Sequence, residues 1–313
     1  MPGPRVVALG GGHGLAASLA ALRLVTDDIT AIVTVADDGG SSGRLRDEFG
    51  VLPPGDLRMA LSALCADTEW GHIWRDVLQH RFGGDGLLGG HALGNLLIVT
   101  LWELNSDPVV GLRLVGELLG ARGTVLPMAS VPLHISALVI DPDATHPDDA
   151  HVVHGQAQVA VTPGEVLEVF LEPANPPTRP ECVAAIDVAD WVVLGPGSWF
   201  TSVMPHLLVP DLRAALVGTS ARRLLTLNVE LDTTETQGFS AARHLDSLAT
   251  HAPELRFDVV LADPSVVEDP RAVEAAAHRL GAELFVSPVA SRRPGAHDTL
   301  RLAAAYRDVM GIS

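Results

Sequence analysis

Residues 36–46 read ADDGGSSGRLR and bring two acids, three glycines, two hydroxyls and two arginines into eleven positions. Asp37 and Asp38 could hold a ribose hydroxyl or a Mg²⁺ ion. Ser41 and Ser42 offer hydroxyl donors, Arg44 presents a planar fork that matches phosphate, and the glycines leave backbone N–H groups accessible. That combination suits a phosphorylated ligand, with or without a metal.

Four further groups carry chemistry at suggestive spacing. Gly10, Gly11, Gly12, His13 and Gly14 follow a short apolar run. Gly12, Gly14 and Ala17 fit the loose G-x-G-x-x-A spacing of dinucleotide-binding turns, and the acid expected about 20 residues on is met by Asp37 or Asp38. On that ground NAD binding is compatible with the turn. Asp56 and Arg58, in PPGDLR, read either as the N-cap and solvated face of the next helix or as partners of the acidic loop. His91 and Asn95 are four apart at the glycine-rich start of an apolar helix, an unusual place for two polar groups without a ligand. A second glycine and hydroxyl turn holds Gly195, Gly197, Ser198, Thr201 and Ser202, and Asn228 leads the exit of the next strand.

The elements that must position these groups alternate strand and helix. RVVAL at 5–9, the glycine turn, Leu15, Leu19 and Leu22 at helical spacing and the β-rich run from Ile29 to Val35 make a βαβ unit. The pattern predicts helices over 69–81, 107–120, 181–190, 241–251, 270–280 and 298–309, and strands at 257–262 and 283–286. The fold expected is α/β, a Rossmann-like, mainly parallel sheet with helices on both faces and a small β-rich insertion. Three parts follow: a nucleotide-binding half at 1–125, a β-rich excursion at 126–175 that includes the DPDATHPDD loop, and a second α/β half at 176–313. Turns placed after parallel strands open on one edge of the sheet, which brings the glycine turns and Asn228 together.

Composition removes several classes. With 313 residues, 47% apolar, a net charge of −17 and a pI near 5.0, the chain has no basic surface for nucleic acid. All 21 basic side chains are arginine, so neither a Walker lysine, a protein-kinase strand lysine nor a Schiff base can form. Cys65 and Cys182 are too few for a disulfide scaffold or a zinc site, and His134, His146, His151 and His154 keep no metal-ligand spacing. MPGPRVVALGGG lacks the layout of a signal peptide, and the apolar stretch at 93–104 is too short to span a bilayer. A cytoplasmic protein is expected, with no membrane span; a homo-oligomer is left open.

GGGHGL at 10–15, ITAIVTVADDGGSSGRLR at 29–46, PPGDLR at 53–58, GHALGNLL at 90–97 and GPGSWFTSVMPHLLVP at 195–210 resemble the YvcK branch of the YvcK/CofD-like proteins, the gluconeogenesis factors. The resemblance implies a UDP-N-acetylglucosamine-binding protein that serves cell shape, wall synthesis and gluconeogenic growth, acting as a regulator through protein partners. It makes Gly12, His13, Gly14, Asp37, Asp38, Ser41, Ser42, Arg44, Asp56, Arg58, His91, Asn95, Gly197, Ser198 and Asn228 ligand-site candidates. The sister branch, which transfers phospholactate to a deazaflavin precursor, supplies the alternative: a Mg²⁺-dependent transferase using Asp37, Asp38 or Asp56. His13 departs from the family's usual Thr, and NVELDTTETQGF replaces NVMTQNGETDGY, with Phe239 for a Tyr.

Overall fold

The computed structural model describes residues 3–141, 143, 146 and 149–312. Within the DPDATHPDD loop, Pro142, Ala144, Thr145, Pro147 and Asp148 therefore lie outside the described residues. The strands are β1 Val6–Gly10, β2 Ile29–Val33, β3 Thr124–Pro127, β4 His134–Ile140, β5 His151–His154, β6 Glu165–Glu172, β7 Trp191–Leu194, β8 Arg222–Thr226, β9 Val259–Ala262 and β10 Glu283–Val286. Seven of them form a sheet in the order β10-β9-β8-β7-β1-β2-β3, parallel throughout. The other three pair antiparallel as β5-β4-β6.

Every residue of β1, β7 and β9 is buried, which is why these strands read as unbroken apolar runs rather than alternating ones. From β1 the chain winds one way through β2 and β3. It then returns past β1 and winds the other way through β7 to β10. Crossovers of one hand put the two sets of helices on opposite faces.

Helices α1 Gly12–Leu22, α2 Gly40–Phe49, α3 Pro54–Ala63, α4 Glu69–Gln79, α5 Leu93–Leu104 and α6 Pro108–Leu119 belong to the first half. The short α7 Gln156–Val159 adjoins the small sheet. Helices α8 Pro180–Val188, α9 Pro205–Leu208, α10 Pro210–Gly218, α11 Ala241–His251, α12 Pro270–Arg279 and α13 Thr299–Met310 complete the chain. α1 packs on α3 and α13, while α8 packs on α10 and α11 on α12.

Two local readings change. Residues 40–49, expected as loop, are helix α2, although GGSSG has poor helix propensity. Tertiary packing decides: Ser41, Ser42, Gly43, Leu45 and Arg46 are buried, and the Arg46 guanidinium donates to the Leu133 carbonyl at 2.9 Å. Gly43 is required there, because a methyl group at its Cα would lie 2.0 Å from the Asp38 carbonyl oxygen. Within the β-rich excursion expected at 126–175, residues 156–159 form helix α7, and Leu126 and Pro127 lie on β3 within the main sheet.

Among the described residues no helix is long and apolar enough to cross a membrane. Both cysteines are buried, and burial pushes the Cys182 thiol up to about 12.

Candidate functional site

The switch point lies between β1 and β7, and strand register sets both glycine turns at one level. Leu9 pairs with Leu194, and Gly195 N–H donates to the Leu9 carbonyl at 3.1 Å. The turns then touch. A methyl group on Gly14 would sit 2.4 Å from the Pro196 carbonyl oxygen and 2.5 Å from the Gly197 Cα. Outside these strand ends opens a cleft of about 630 Å³, where open α/β sheets bind ligands.

The first turn leads directly into α1. Gly12 adopts φ 56°, a left-handed conformation that favours glycine, and the following amides point along the helix start. His13 is exposed at the rim of the cleft. Beneath the turn lies Asp56. It is not the N-cap of α3; Pro53 holds that position, and Asp56 sits in the first turn. Burial, and next the charge of Asp37, push the Asp56 carboxyl up to about 7, while the Gly12 N–H and Arg58 draw it back. Asp37 lines the cleft beside it and accepts the Gly39 N–H at 3.0 Å.

Asp38 turns away from the cleft. Its Oδ1 accepts the Ala157 N–H at 2.9 Å, under Gly155 (φ 96°), and so ties the small sheet to the main domain. Of the aspartates, those facing the cleft are therefore Asp37 and Asp56, not Asp37 and Asp38. The tie also sets Gln156 and Ala160 into the cleft wall.

Ser41, His91 and Asn95 converge, although His91 precedes α5 rather than lying on its first turn. Ser41 Oγ lies 3.0 Å from His91 Nδ1 and accepts from Asn95 Nδ2 at 3.0 Å; Asn95 Oδ1 in turn accepts from Arg58 Nε at 2.9 Å. This buried network backs a side compartment of about 260 Å³, which Ser41, Ser42, Arg58 and Asn95 line. Asp37 and Asp56 are shared between that compartment and the cleft. Arg44 does not join them: it is exposed and donates to the Gly89 carbonyl at 2.8 Å.

The second turn is built differently. Asn228 grips the Gly197 peptide from both sides, accepting its N–H at 2.8 Å and donating to its carbonyl at 2.8 Å. Glu235 accepts the Trp199 N–H at 2.5 Å and Thr201 Oγ at 3.5 Å. Burial pushes Glu235 up to about 7, opposed by those donors. Thr201 is thereby buried in the wall; Gly10 ends β1 and Gly195 directly follows β7, and neither lines the cleft. Gly197, Ser198, Ser202 and Asn228 do line the cleft.

Residues that sequence reasoning did not single out are Met59, Gln156, Ala160 and the loop Gly295–His297. The carboxylate of Asp263 holds that loop's base, accepting the amides of Val289 at 2.8 Å and Ala290 at 2.7 Å. A usable signal existed in SRRPGAH, a Pro-Gly turn after the last strand and so on the same edge.

Comparison with known proteins agrees with this architecture. Residues 6–292 match the family model described as 2-phospho-L-lactate transferase CofD. A Mycobacterium tuberculosis protein named "Putative gluconeogenesis factor" is 52% identical over 309 residues, covering 97% of this chain and 90% of that one. The Bacillus subtilis protein named "Gluconeogenesis factor" is 36% identical over 266 residues, covering 85% and 80%. A 2.60 Å crystal structure of a UPF0052 family member from Bacillus halodurans superposes with a TM-score of 0.85 at 32% identity, covering 97% of this chain and 99% of that one. On the sequence and fold together, the chain belongs to the CofD/YvcK family.

Proposed function

We propose that the chain binds UDP-N-acetylglucosamine in the switch-point cleft and acts as a cytoplasmic regulator of gluconeogenic growth, cell shape and wall synthesis through protein partners. One observation carries the ligand class: a cleft of about 630 Å³ at the C-terminal ends of β1 and β7, entered by the glycine-initiated N-terminus of α1. Amides and dipole there favour a diphosphate. The names of the relatives support the metabolic half of the reading.

The cleft's charge imposes a condition on that ligand. Its described lining holds Asp37, Asp56, Glu230 and Glu235 but no arginine. A diphosphate beside these carboxylates calls for a cation. Asp37 and Asp56 fit Mg²⁺, which takes one or two carboxylates and fills its other positions with water and phosphate oxygens. Mg²⁺ would supply charge neutralisation between acid and phosphate.

Isothermal titration with UDP-N-acetylglucosamine tests both parts. Micromolar binding that needs Mg²⁺ and weakens at least tenfold in Asp56→Asn is the expected result. If neither UDP-sugars nor NAD bind, the ligand assignment falls; if affinity is unchanged in EDTA, the cation falls.

A transferase is the second reading, favoured by the family model and by one feature of the site. A carboxyl pushed up to about 7 beside a second acid is matched to proton transfer near neutral pH. Turnover of a nucleotide-activated donor, lost in Asp56→Asn, would establish it. Binding without turnover across a broad acceptor panel would leave the regulator.

A further inference from the structure

Behind His13 and Met59, which it shares with the cleft, lies a separate groove of about 410 Å³ between α3 and α4. Its walls are two pairs of residues at helical i, i+4 spacing: Arg58 and Ser62 on α3, Arg75 and Gln79 on α4. Arg81, just beyond α4, closes the end. No acidic residue is among the described lining. The contrast with the carboxylate-lined cleft next door is complete, in a chain whose net charge is −17.

Two features of the groove have no internal resolution. Arg58 is buried and Arg81 is close enough to disfavour its charge. Among the described residues neither forms an ion pair; their partners are neutral, Asn95 and Gln79 for Arg58 and the Gly90 carbonyl for Arg81. Arg75 pairs with its neighbour Asp76 and still borders the groove. Ser62 is buried, and its hydroxyl has no hydrogen-bond partner. Only the longer-range charges of Asp56 and Asp37 offset Arg58, and neither acid lines this groove; crowded cations and a buried orphan hydroxyl both cost stability in the empty protein. One anion seated between α3 and α4 relieves both.

The geometry points to a second ligand site: this groove binds the phosphate group of a small metabolite, beside and distinct from the nucleotide-sugar cleft. Arginine forks match phosphate through paired N–H donors, and the Ser62 hydroxyl completes a tetrahedral anion's contacts. A groove of this volume has room for more than the phosphate, so the remainder of the metabolite would extend toward Met59. Occupants of cleft and groove would then meet across His13 and Met59, giving the protein two inputs.

The test uses the full chain without nucleotide, so it stands apart from the fate of the UDP-sugar assignment. Inorganic phosphate, glycerol phosphate and malonate are titrated at constant ionic strength by calorimetry and thermal shift. Both phosphates are expected to bind saturably and more tightly than malonate. Arg81→Ala and Arg75→Ala should each weaken phosphate by about tenfold. Ser62→Ala should weaken it several-fold while leaving the phosphate-free Tm equal or higher, which a structural serine would not do. No saturable phosphate binding, unchanged affinity in all three variants, or tighter malonate binding would overturn the proposal. So would strict competition between phosphate and UDP-N-acetylglucosamine, which would make the groove part of the first ligand's site.

Discussion

The two glycine turns at the switch point follow equally buried strands and sit at the same level, yet they do opposite things with their amides. The turn after β1 runs into a regular helix and directs its N-terminus at the cleft, with its Gly12 amide held by Asp56 below. The turn after β7 is closed on itself: Asn228 takes the Gly197 amide, and Glu235 takes that of Trp199. On the proposed reading the first receives the anion, and the second is a wall. Glycine and hydroxyl content does not distinguish them, because the difference lies in side chains from other strand exits 31 and 36 residues away.

The contact between the turns is the most sensitive point. Gly14→Ala gains about 1 kcal/mol of helix propensity but drives a methyl group into the Pro196 carbonyl. Overpacking against backbone wins, and a net loss of about 3 kcal/mol is expected in urea unfolding. A neutral Gly14→Ala would mean that the turns are not in contact.

The wall can be opened from its own side. Asn228→Ala removes both bonds to the Gly197 peptide and should cost about 2 kcal/mol. The comparison predicts that the freed Gly197 amide then gains anion affinity. Sulfate titration followed by amide NMR shifts would check this; unaltered shifts at Gly197 would count against the wall.

Each turn rests on a carboxyl that burial pushes up, so both respond to pH. Asp56 in the fold titrates at about 7 against an ordinary carboxylate value, so folding favours its protonated form. Its contribution is full below about pH 4 and is lost as pH rises through 7. Glu235, also pushed up to about 7, has the same sign. Asp56→Asn should therefore match the wild type at pH 4 and exceed it at pH 8 by about 1–2 kcal/mol, since the carboxylate keeps an edge in the cleft. Equal pH slopes for the two proteins would refute this. Greater stability at the expense of cation-dependent binding would mark Asp56 as retained for function.

The smallest expected effect concerns Asp38. Asp38→Asn keeps an acceptor for the Ala157 N–H but loses its charge, for about 0.5–1 kcal/mol. Ligand affinity should change little if Asp38 is a tie, whereas a loss like that of Asp56→Asn would restore it to the site.

Much of this was legible in the sequence. Apolar runs that end in glycine turns marked β1 and β7, a β-branched run before the acidic segment marked β2, and the rule that parallel strands open on one edge brought Gly12, Asp37, Gly197 and Asn228 together. Helix α2 was not legible, since its polar, glycine-rich residues are helical only because burial against α3 and α5 overrides propensity. Nor was the division of labour within DD. Adjacent acids look equivalent in sequence, but the chain passes between the cleft and the small sheet at that point, and one carboxylate faces each. Arg44 and Arg58 lie outside the cleft lining, which sequence does not reveal because long side chains can choose among several partners: Arg44 donates to the Gly89 carbonyl, and Arg58 to the side-chain amides of Asn95 and Gln79.

Tyr306, the only tyrosine, is fully buried where α13 meets α1 and β8, its hydroxyl 2.9 Å from Ser18 Oγ and 3.1 Å from Thr226 Oγ1. Burial pushes it up to about 12. The consequence is optical: tyrosinate absorbance in this protein comes from a single phenol that joins α13 to α1 and to β8. Its appearance near pH 10 would signal release of α13, a spectroscopic clock for the moment at which the last helix leaves the fold.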